Sequence, residues 1–407
     1  MNLYIINESS QGTVYGIGTY IRELLEALRH SRIKICVIYL KSNKLQIEEK
    51  DDIKYWHFPI LKSEQRTVEY QKRNELYYKN VVYLLQSCIE DKKNLIFHLN
   101  YNQTGKLAEA LKKTFDCRIV TTVHYLEWCF SLLGNLTRFR KILTAPETYR
   151  NDKLRKTVEE SYRNEKAFFK TVNHILCLSE NTREILHDDY KISSDKLSII
   201  YNGLDDKNTD SDKKILRNKY HIPDIPVILF AGRLDDTKGL IFVLRAFKKV
   251  LSKYSRCHII IAGNGEFNIH MKECEDIWMY VTWTGLISKD KLYELYSVAD
   301  IGVMPSFHEQ CSYVAIEMMM HGLPIIGSTS TGLKEMITDG ETGLHIPVIE
   351  CDDKVEIDTD LLAEKMLFLL HNPKERQRMG QNARKRYEER YAMDIFRKNM
   401  LNFYHSF

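Results

Sequence analysis

The sequence predicts an α/β protein with two Rossmann-like, doubly wound domains that face each other across a cleft. Short runs rich in β-branched residues alternate with longer amphipathic stretches, which is typical of buried parallel strands joined by helices. A polar stretch after residue 203 interrupts the alternation, which then begins again. With 407 residues, the chain also exceeds the size at which one hydrophobic core keeps growing. Two sheets with a ligand between them therefore fit better than one.

The predicted strands of the first domain are short apolar runs at residues 3–7, 35–40, 95–98, 118–123, 175–178 and 197–201. A helix from about residue 17 to residue 28 follows the first run. Asn202 and Gly203 form a turn signal, and the polar residues that follow suit a linker. We therefore place the first domain at residues 1–203.

The second domain repeats the pattern, with predicted strands at residues 227–230, 258–262, 280–283, 301–304 and 323–326. Helices are predicted at residues 240–250, from near residue 312, and at residues 373–390. We assign residues 204–390 to this domain. A last helix, residues 391–407, is predicted to join the first domain.

Composition excludes several classes of protein. The formal net charge is only +4, from 59 basic and 55 acidic residues, so no nucleic-acid partner is predicted. Nine cysteines without a Cys-x-x-Cys pair favour reduced thiols over a disulfide framework or a zinc site. Neither an export signal nor an apolar run of the ~18 residues that cross a bilayer is visible. We expect a cytoplasmic protein, soluble or at most peripheral to the inner membrane surface.

The segment from Pro305 to Pro324 is the most informative. It places Glu309 and Glu317 eight positions apart, where an apolar strand gives way to a helix beginning near Ser312. The start of that helix would attract an anion, and eight positions of helix span at most roughly 12 Å, the reach of a nucleotide-sugar. One carboxylate could bind sugar hydroxyls and the other ribose hydroxyls. The alternative is a solvated Glu309 and a locally paired Glu317.

Arg233 and Lys238 follow the strand at residues 227–230, just before a helix. Two cations add to the positive end of a helix dipole, which is unfavourable unless an anion binds between them. A diphosphate would fit. The alternative is that both side chains point outward and pair with Asp235 and Asp236.

Three further segments are candidates. Gly16 and Gly18 follow the first strand, but Ile21 stands where a dinucleotide fingerprint needs a third glycine, so these two glycines indicate close approach to a phosphate or sugar, or a plain turn. His124 ends the strand at residues 118–123, where a structural histidine is the alternative. The turn formed by Gly263, Asn264 and Gly265 follows another strand.

Taken together, these segments resemble the family 4 retaining glycosyltransferases, which have the two-Rossmann-domain GT-B fold. The most specific match is the stretch from Glu309 to Glu317, which is similar to the family's Glu-x7-Glu motif. The other matching segments are Gly232-Arg233-Leu234 with Lys238-Gly239, Asn202-Gly203-Leu204-Asp205, and the turn from Gly263 to Glu266. The resemblance spans most of the chain.

The resemblance implies a role for each candidate. Arg233 and Lys238 would bind the donor diphosphate, Glu309 the transferred sugar and Glu317 the ribose. His124 would contact the sugar near C6. The remaining implied donor contacts are Gly16, Gly18, Gly232, Gly263, Asn264, Gly265, Cys311, Ser312 and Tyr313. Retention is expected by front-face attack, with the leaving phosphate helping to deprotonate the acceptor.

The sequence departs from the family pattern at two positions that bear on the choice of donor, because Tyr15 and Ser312 stand where glycines are usual. No metal and no cofactor are expected, since Arg233 and Lys238 can neutralise the diphosphate. The Asp-x-Asp triplets at residues 210–212 and 358–360 lie in polar contexts.

The sequence therefore predicts a retaining hexosyltransferase that uses a UDP-sugar, or second a GDP-sugar, to build a surface glycan or glycoconjugate on a glycan, lipid-linked or protein acceptor. An epimerase or phosphorylase on the same fold, or a non-catalytic nucleotide-sugar-binding protein, are the alternatives. Residues 55–83 and 125–162 combine aromatic and basic side chains, which suits acceptor sugars or anionic lipid headgroups, or helices that cover the sheet.

Overall fold

The computed structural model describes residues 1–8, 16–60, 68–144, 152–208 and 212–407. It divides into two compact units, and the predicted α/β class with a parallel sheet in each domain is confirmed. The first unit comprises Met1–Glu127, Pro146–Ile200 and Met400–Phe407, and the second comprises Trp128–Ala145 and Tyr201–Asn399.

The first unit is built on an eight-stranded sheet in the order β3-β4-β2-β1-β5-β6-β7-β8. All its described neighbours pair in parallel except β3 and β4. Its strands are β1 Asn2–Glu8, β2 Lys34–Ser42, β3 Gln46–Lys50, β4 Ile53–Pro59, β5 Leu95–Leu99, β6 Cys117–Val123, β7 His174–Cys177 and β8 Leu197–Ile199. The central strands are buried along nearly their whole length, which is why they read as apolar runs.

Strands β3 and β4 are not buried along their length and were not predicted. β3 is exposed along most of its length, so it carries no apolar pattern. It forms a hairpin with β4 through Asp51 and Asp52, which both have positive φ, as a tight two-residue hairpin turn requires. The aromatic stretch at residues 55–83 is therefore partly strand and only partly helix.

Helices flank the sheet of the first unit. They are α1 Gly16–Leu28, α2 Val68–Cys88, α3 Gly105–Thr114, α6 Lys153–Thr171 and α7 Glu180–Asp188, while α4 Glu127–Leu132 and α5 Leu136–Thr144 lie largely in the second unit. The apolar faces of α1 and α3 are buried, as expected of amphipathic helices that cover a sheet.

The second unit contains a six-stranded parallel sheet in the order β11-β10-β9-β12-β13-β14. Its strands are β9 Val227–Ala231, β10 His258–Ala262, β11 Val281–Gly285, β12 Ile301–Met304, β13 Ile325–Ser328 and β14 Gly343–Ile346. The strand predicted at residues 323–326 begins two positions later, and β14 was not predicted. A separate hairpin pairs β15 Val348–Glu350 with β16 Val355–Ile357.

The remaining α-helices of the described chain are α8 Lys213–Lys219, α9 Leu240–Leu251, α10 Phe267–Glu273, α11 Lys289–Val298, α12 Tyr313–Met320, α13 Leu333–Met336, α14 Thr359–His371, α15 Pro373–Arg390 and α16 Met393–His405. Helix α9 packs its apolar face into a core shared with β9, β10, β12 and α14. Helix α16 runs from the second unit into the first, since residues from Met400 onward belong to the latter.

The compact units differ from the predicted domains in three stretches, residues 128–145, 201–203 and 391–399, which belong to the second unit. Trp128 stacks on Phe139 at 4.2 Å between ring centroids. Asn135 Nδ2 donates to the Cys351 carbonyl at 2.7 Å, which ties the α4–α5 segment to the second unit. Such contacts between distant segments have no counterpart in the local sequence pattern.

Candidate active site

The loops after β9 and β10 cross at the carboxyl edge of the second sheet, where ligands of parallel sheets bind. The Gly232 N–H donates to the Ala262 carbonyl at 2.9 Å, and the Gly263 N–H donates to the Gly285 carbonyl at 3.1 Å. Gly263 has φ +156, and a Cβ at this position would lie 1.7 Å from the Gly232 oxygen. Only glycine fits here, so the two turns are held against each other.

The same pair of loops fixes the turn at residues 263–266. The Leu234 N–H donates to the Asn264 carbonyl, and the Glu266 N–H donates to the Leu234 carbonyl, each at 2.9 Å. Gly265 forms an isolated β-bridge with Leu234. The structure therefore brings together four predicted donor-binding residues: Gly232, Gly263, Asn264 and Gly265. The turn at residues 263–266 is hydrogen-bonded to Leu234, the residue after Arg233.

Arg233 forms an ion pair with Asp235, with 3.1 Å between Nη2 and Oδ2. Asp235 also caps the short 3₁₀ helix Asp236–Lys238 by accepting from the Thr237 N–H at 3.1 Å. The alternative of local pairing is thus realised for Arg233. Its side chain remains 37% exposed, so the guanidinium can still meet a ligand.

Lys238 does not pair with Asp236, contrary to the alternative predicted for it. Its Nζ lies 2.5 Å from Oε1 of Glu309, and the two side chains are 18% and 13% exposed. The loops that carry them are tied by a hydrogen bond from the Phe307 N–H to the Thr237 carbonyl at 2.8 Å. The structure therefore places Lys238, predicted to bind phosphate, in direct contact with Glu309, predicted to bind the sugar.

Two residues that the sequence did not indicate hold the backbone of Glu309. Its N–H donates to Thr331 Oγ1 at 2.9 Å, and its carbonyl accepts from the Gly332 N–H at 2.8 Å. Thr331 and Gly332 follow β13, at the same edge of the sheet. Their position just after a predicted strand was the available signal.

Helix α12 begins at Tyr313, close to the predicted start, and Ser312 is its N-cap. The Ser312 side chain makes no capping hydrogen bond, and the Cys311 carbonyl accepts from Asn202 Nδ2 at 2.7 Å. Burial raises the pKa of the Cys311 thiol to about 12, so this thiol is neutral. Residues 309–312 precede the helix, so the ~12 Å span, which assumed helical rise throughout, does not apply to the whole motif.

Glu317 lies on α12 and is fully buried. Its Oε2 accepts from the Tyr296 hydroxyl at 2.9 Å, and its Oε1 pairs with Lys289 Nζ. Tyr296 and Lys289 both lie on α11 and were not predicted. A buried carboxylate with a tyrosine hydroxyl and an ammonium on its oxygens is electrostatically satisfied.

In the first unit, Gly16 and Gly18 lie in the first turn of α1 and not in a loop before it, while Tyr15 lies outside the described residues. His124 follows β6 and is half-buried, with Nε2 3.1 Å from Oδ1 of Asn100. Burial, with a smaller effect of His98, lowers the pKa of His124 to about 3. The imidazole is therefore neutral at physiological pH.

Within the described ranges, no group of three or more His, Cys, Asp or Glu side chains is arranged to hold a metal ion. Asp358 caps α14 by accepting from the Asp360 and Leu361 N–H groups, and Asp210 lies outside the described residues. Of the helices in those ranges, none is both long and apolar enough to cross a membrane.

Comparison with known proteins identifies the class. The chain superposes over 100% of its length on 98% of sucrose-phosphate synthase from Thermosynechococcus elongatus, with a TM-score of 0.79 and 20% identity. It likewise covers 100% of Anabaena HepE, solved in complex with UDP-glucose, with a TM-score of 0.74 and 14% identity. These likenesses establish the GT-B fold.

The sequence comparisons then give the family. Residues 14–208 match the model of Glycosyltransferase Family 4, and residues 212–386 match that of Glycosyl transferases group 1. An uncharacterized glycosyltransferase of Methanocaldococcus jannaschii, MJ1607, is 28% identical over 239 residues, which are 56% of this chain and 59% of that relative. The chain thus matches about six-tenths of this relative's length. It belongs to the family 4, group 1 glycosyltransferases.

Proposed function

We propose that this protein is a retaining glycosyltransferase that moves a hexosyl unit from a nucleotide-sugar to a glycan, lipid-linked or protein-linked acceptor during synthesis of a surface glycan or glycoconjugate. A UDP-sugar is the favoured donor and a GDP-sugar the second choice. The UDP-glucose bound by HepE supports the first of these.

The contact between Lys238 and Glu309 carries this proposal. Two cations, Arg233 and Lys238, lie at the carboxyl edge of one sheet, and each pairs with a carboxylate. A diphosphate is an anion that can replace Asp235 as the partner of Arg233 and Glu309 as the partner of Lys238. Glu309 is then released to accept hydrogen bonds from the sugar that the diphosphate carries.

The proposed chemistry breaks the bond between the anomeric carbon and the diphosphate oxygen, and forms a bond from the same carbon to an acceptor hydroxyl. The acceptor proton passes to the leaving phosphate on the same face of the sugar. Arg233 and Lys238 stabilise the charge that develops on the diphosphate, Glu317 binds the ribose, and His124 contacts the sugar. Because two cations neutralise the phosphates, we expect no metal requirement.

The test is turnover of a panel of UDP- and GDP-sugars, with water or an added glycan as acceptor and with EDTA present. We expect release of the nucleoside diphosphate and, by NMR, a newly released sugar with the anomeric configuration of the donor. An inverted configuration contradicts retention, and turnover that needs Mn²⁺ or Mg²⁺ contradicts metal independence.

The same panel separates the alternatives. Isomerised donor in the absence of acceptor indicates an epimerase. Thermal stabilisation by a nucleotide-sugar without any turnover indicates a non-catalytic binding protein. Lys238→Met provides the control for contaminating hydrolases, because a contaminant's activity survives that change.

A further inference from the structure

The side chain of Asn100 has a fixed orientation in the core of the first unit. It is 1% exposed, and its Nδ2 donates to the Ile6 carbonyl at 3.2 Å. A carbonyl oxygen can only accept, so the amide NH₂ must face Ile6 and Oδ1 must face the other way. Oδ1 lies 3.1 Å from His124 Nε2, and this nitrogen must therefore carry a hydrogen.

This contact decides the tautomer of His124. Because its pKa is lowered to about 3, the ring carries one proton at neutral pH, and Asn100 holds that proton on Nε2. Nδ1 is left with a lone pair. Among the described residues this nitrogen has no hydrogen-bond partner.

The groups around the ring add no charge that would change this state. Tyr20, on α1, presents its ring edge-on to His124 with centroids 4.7 Å apart. Its hydroxyl is bonded to Thr122 Oγ1 at 3.0 Å. His98, on β5, is bonded through Nε2 to the same Thr122 oxygen at 2.7 Å. Burial lowers the pKa of His98 to about 3 and raises that of Tyr20 above its ordinary value, so both are neutral.

We propose that Asn100 is a positioning residue that presents His124 as a hydrogen-bond acceptor through Nδ1, so that this point of the site takes a ligand hydroxyl and disfavours a carboxylate. The inference rests on the proposed function, under which the ligand is a sugar. A hydroxyl can donate to the lone pair, whereas a carboxylate has only acceptor atoms. In a half-buried setting, two facing acceptors leave both polar groups unpaired, which costs binding energy.

The first test needs no turnover. In the full chain labelled with ¹⁵N-histidine, long-range ¹H–¹⁵N spectra separate protonated from unprotonated ring nitrogens, and His124→Gln assigns the signal. We expect wild-type His124 to show Nε2–H and an unprotonated Nδ1. Asn100→Leu should give a mixture of tautomers. Tyr101→Phe, which removes a hydroxyl bonded to Asn7 Oδ1 in the same turn, is the matched control and should leave the tautomer unchanged.

Asn100→Asp keeps an acceptor for Nε2–H and loses the donor to the Ile6 carbonyl; when its carboxyl group is ionised, it adds a negative charge, which raises the imidazole pKa. It therefore converts His124 into a donor at acidic pH. In this variant we expect kcat/KM to be roughly tenfold lower at about pH 5.5 than at about pH 8, a loss that wild type and Tyr101→Phe do not share. A merely structural role for Asn100 would lower activity equally at all pH values.

Adding UDP-glucose to the labelled wild-type protein tests the ligand half of the proposal. We expect the Nδ1 signal to shift while this nitrogen stays unprotonated. A proton on Nδ1 with or without UDP-glucose, or an unchanged tautomer in a folded Asn100→Leu variant, overturns the proposal. An unchanged Nδ1 signal at saturating UDP-glucose overturns its ligand half. Absence of turnover in every donor assay, with the expected tautomer intact, contradicts the proposed function and not the positioning by Asn100.

Discussion

Lys238 and Glu309 form an ion pair of 2.5 Å although they lie 71 positions apart in the chain. Each follows a different strand of the second sheet, and both side chains are largely withdrawn from solvent. Removing one partner of such a pair leaves the other charge poorly compensated. In the proposed reaction, the donor diphosphate replaces Glu309 as the partner of Lys238.

Lys238→Met should lower kcat by on the order of 10² or more, with a smaller effect on the donor KM. The reason is that negative charge builds on the diphosphate as the glycosidic bond breaks, so the cation acts mainly in the transition state. Steady-state kinetics of donor turnover measure both constants. Lys248→Met is the control, because it also removes a lysine from an ion pair, with Asp276 at 2.8 Å, but Lys248 has no proposed role in donor binding. A near-normal kcat with a sharply raised KM would mean that Lys238 only holds the donor.

Glu317→Gln should weaken binding of bare UDP by roughly tenfold, about 1.4 kcal/mol. Glu309→Gln should not weaken UDP binding, because it removes the carboxylate charge that the diphosphate displaces from Lys238, but it should lower transfer. Glu317 is the buried carboxylate that we assign to the ribose, while Glu309 is assigned to the sugar that UDP lacks. Isothermal titration calorimetry with UDP measures the first effect. Equal losses of UDP affinity in the two variants would refute this division of the donor.

Gly263→Ala should destabilise the second unit by roughly 3 kcal/mol or more, because the new methyl group meets the Gly232 carbonyl and the residue keeps a φ that suits glycine. Chemical denaturation measures the change in the free energy of unfolding. Gly105→Ala is the matched control: its methyl group would lie 3.6 Å from the nearest atom, and we expect a change below about 1 kcal/mol. Similar values for both would show that the crossing of the two loops is loose.

Glu165→Gln should flatten the pH dependence of stability in the first unit. Wild-type Glu165 is buried and accepts from Asn102 Nδ2 at 2.9 Å and from the Glu127 N–H at 2.8 Å. Burial raises its pKa from 4.5 to about 7. A raised folded-state pKa gives stability that is fully present below pH 4.5 and is lost as the pH rises through about 7.

We therefore expect wild type to lose about 2–3 kcal/mol more of its unfolding free energy than Glu165→Gln does between about pH 5 and pH 8. Denaturant titrations at the two pH values give this difference. Exposed Glu160, on the same helix, provides the control variant Glu160→Gln. If Glu165→Gln and wild type lose the same amount, Glu165 titrates normally in the folded protein.

Local sequence patterns predicted the fold class and most strands. β9 and β12 are buried along their whole length, and β10 is buried at all but its first residue, so their apolar composition was enough to predict them. The segments bearing Arg233, Lys238, Glu309 and Glu317 could therefore be placed after strand ends. β3 was not predicted, because an edge strand exposed to water needs no alternation of apolar and polar residues.

Which charged groups pair depends on contacts between distant segments of the chain. Lys238 has an aspartate two positions before it, yet it pairs with distant Glu309, and Glu317 pairs with Lys289 on another helix. Likewise, the tautomer of His124 depends on Asn100 and, through it, on the Ile6 carbonyl in β1. Burial can be predicted from short-range sequence patterns because each strand or helix turns a defined face to the core. The hydrogen-bond or ion-pair partner of a polar group instead depends on where separate elements place that group in the folded protein.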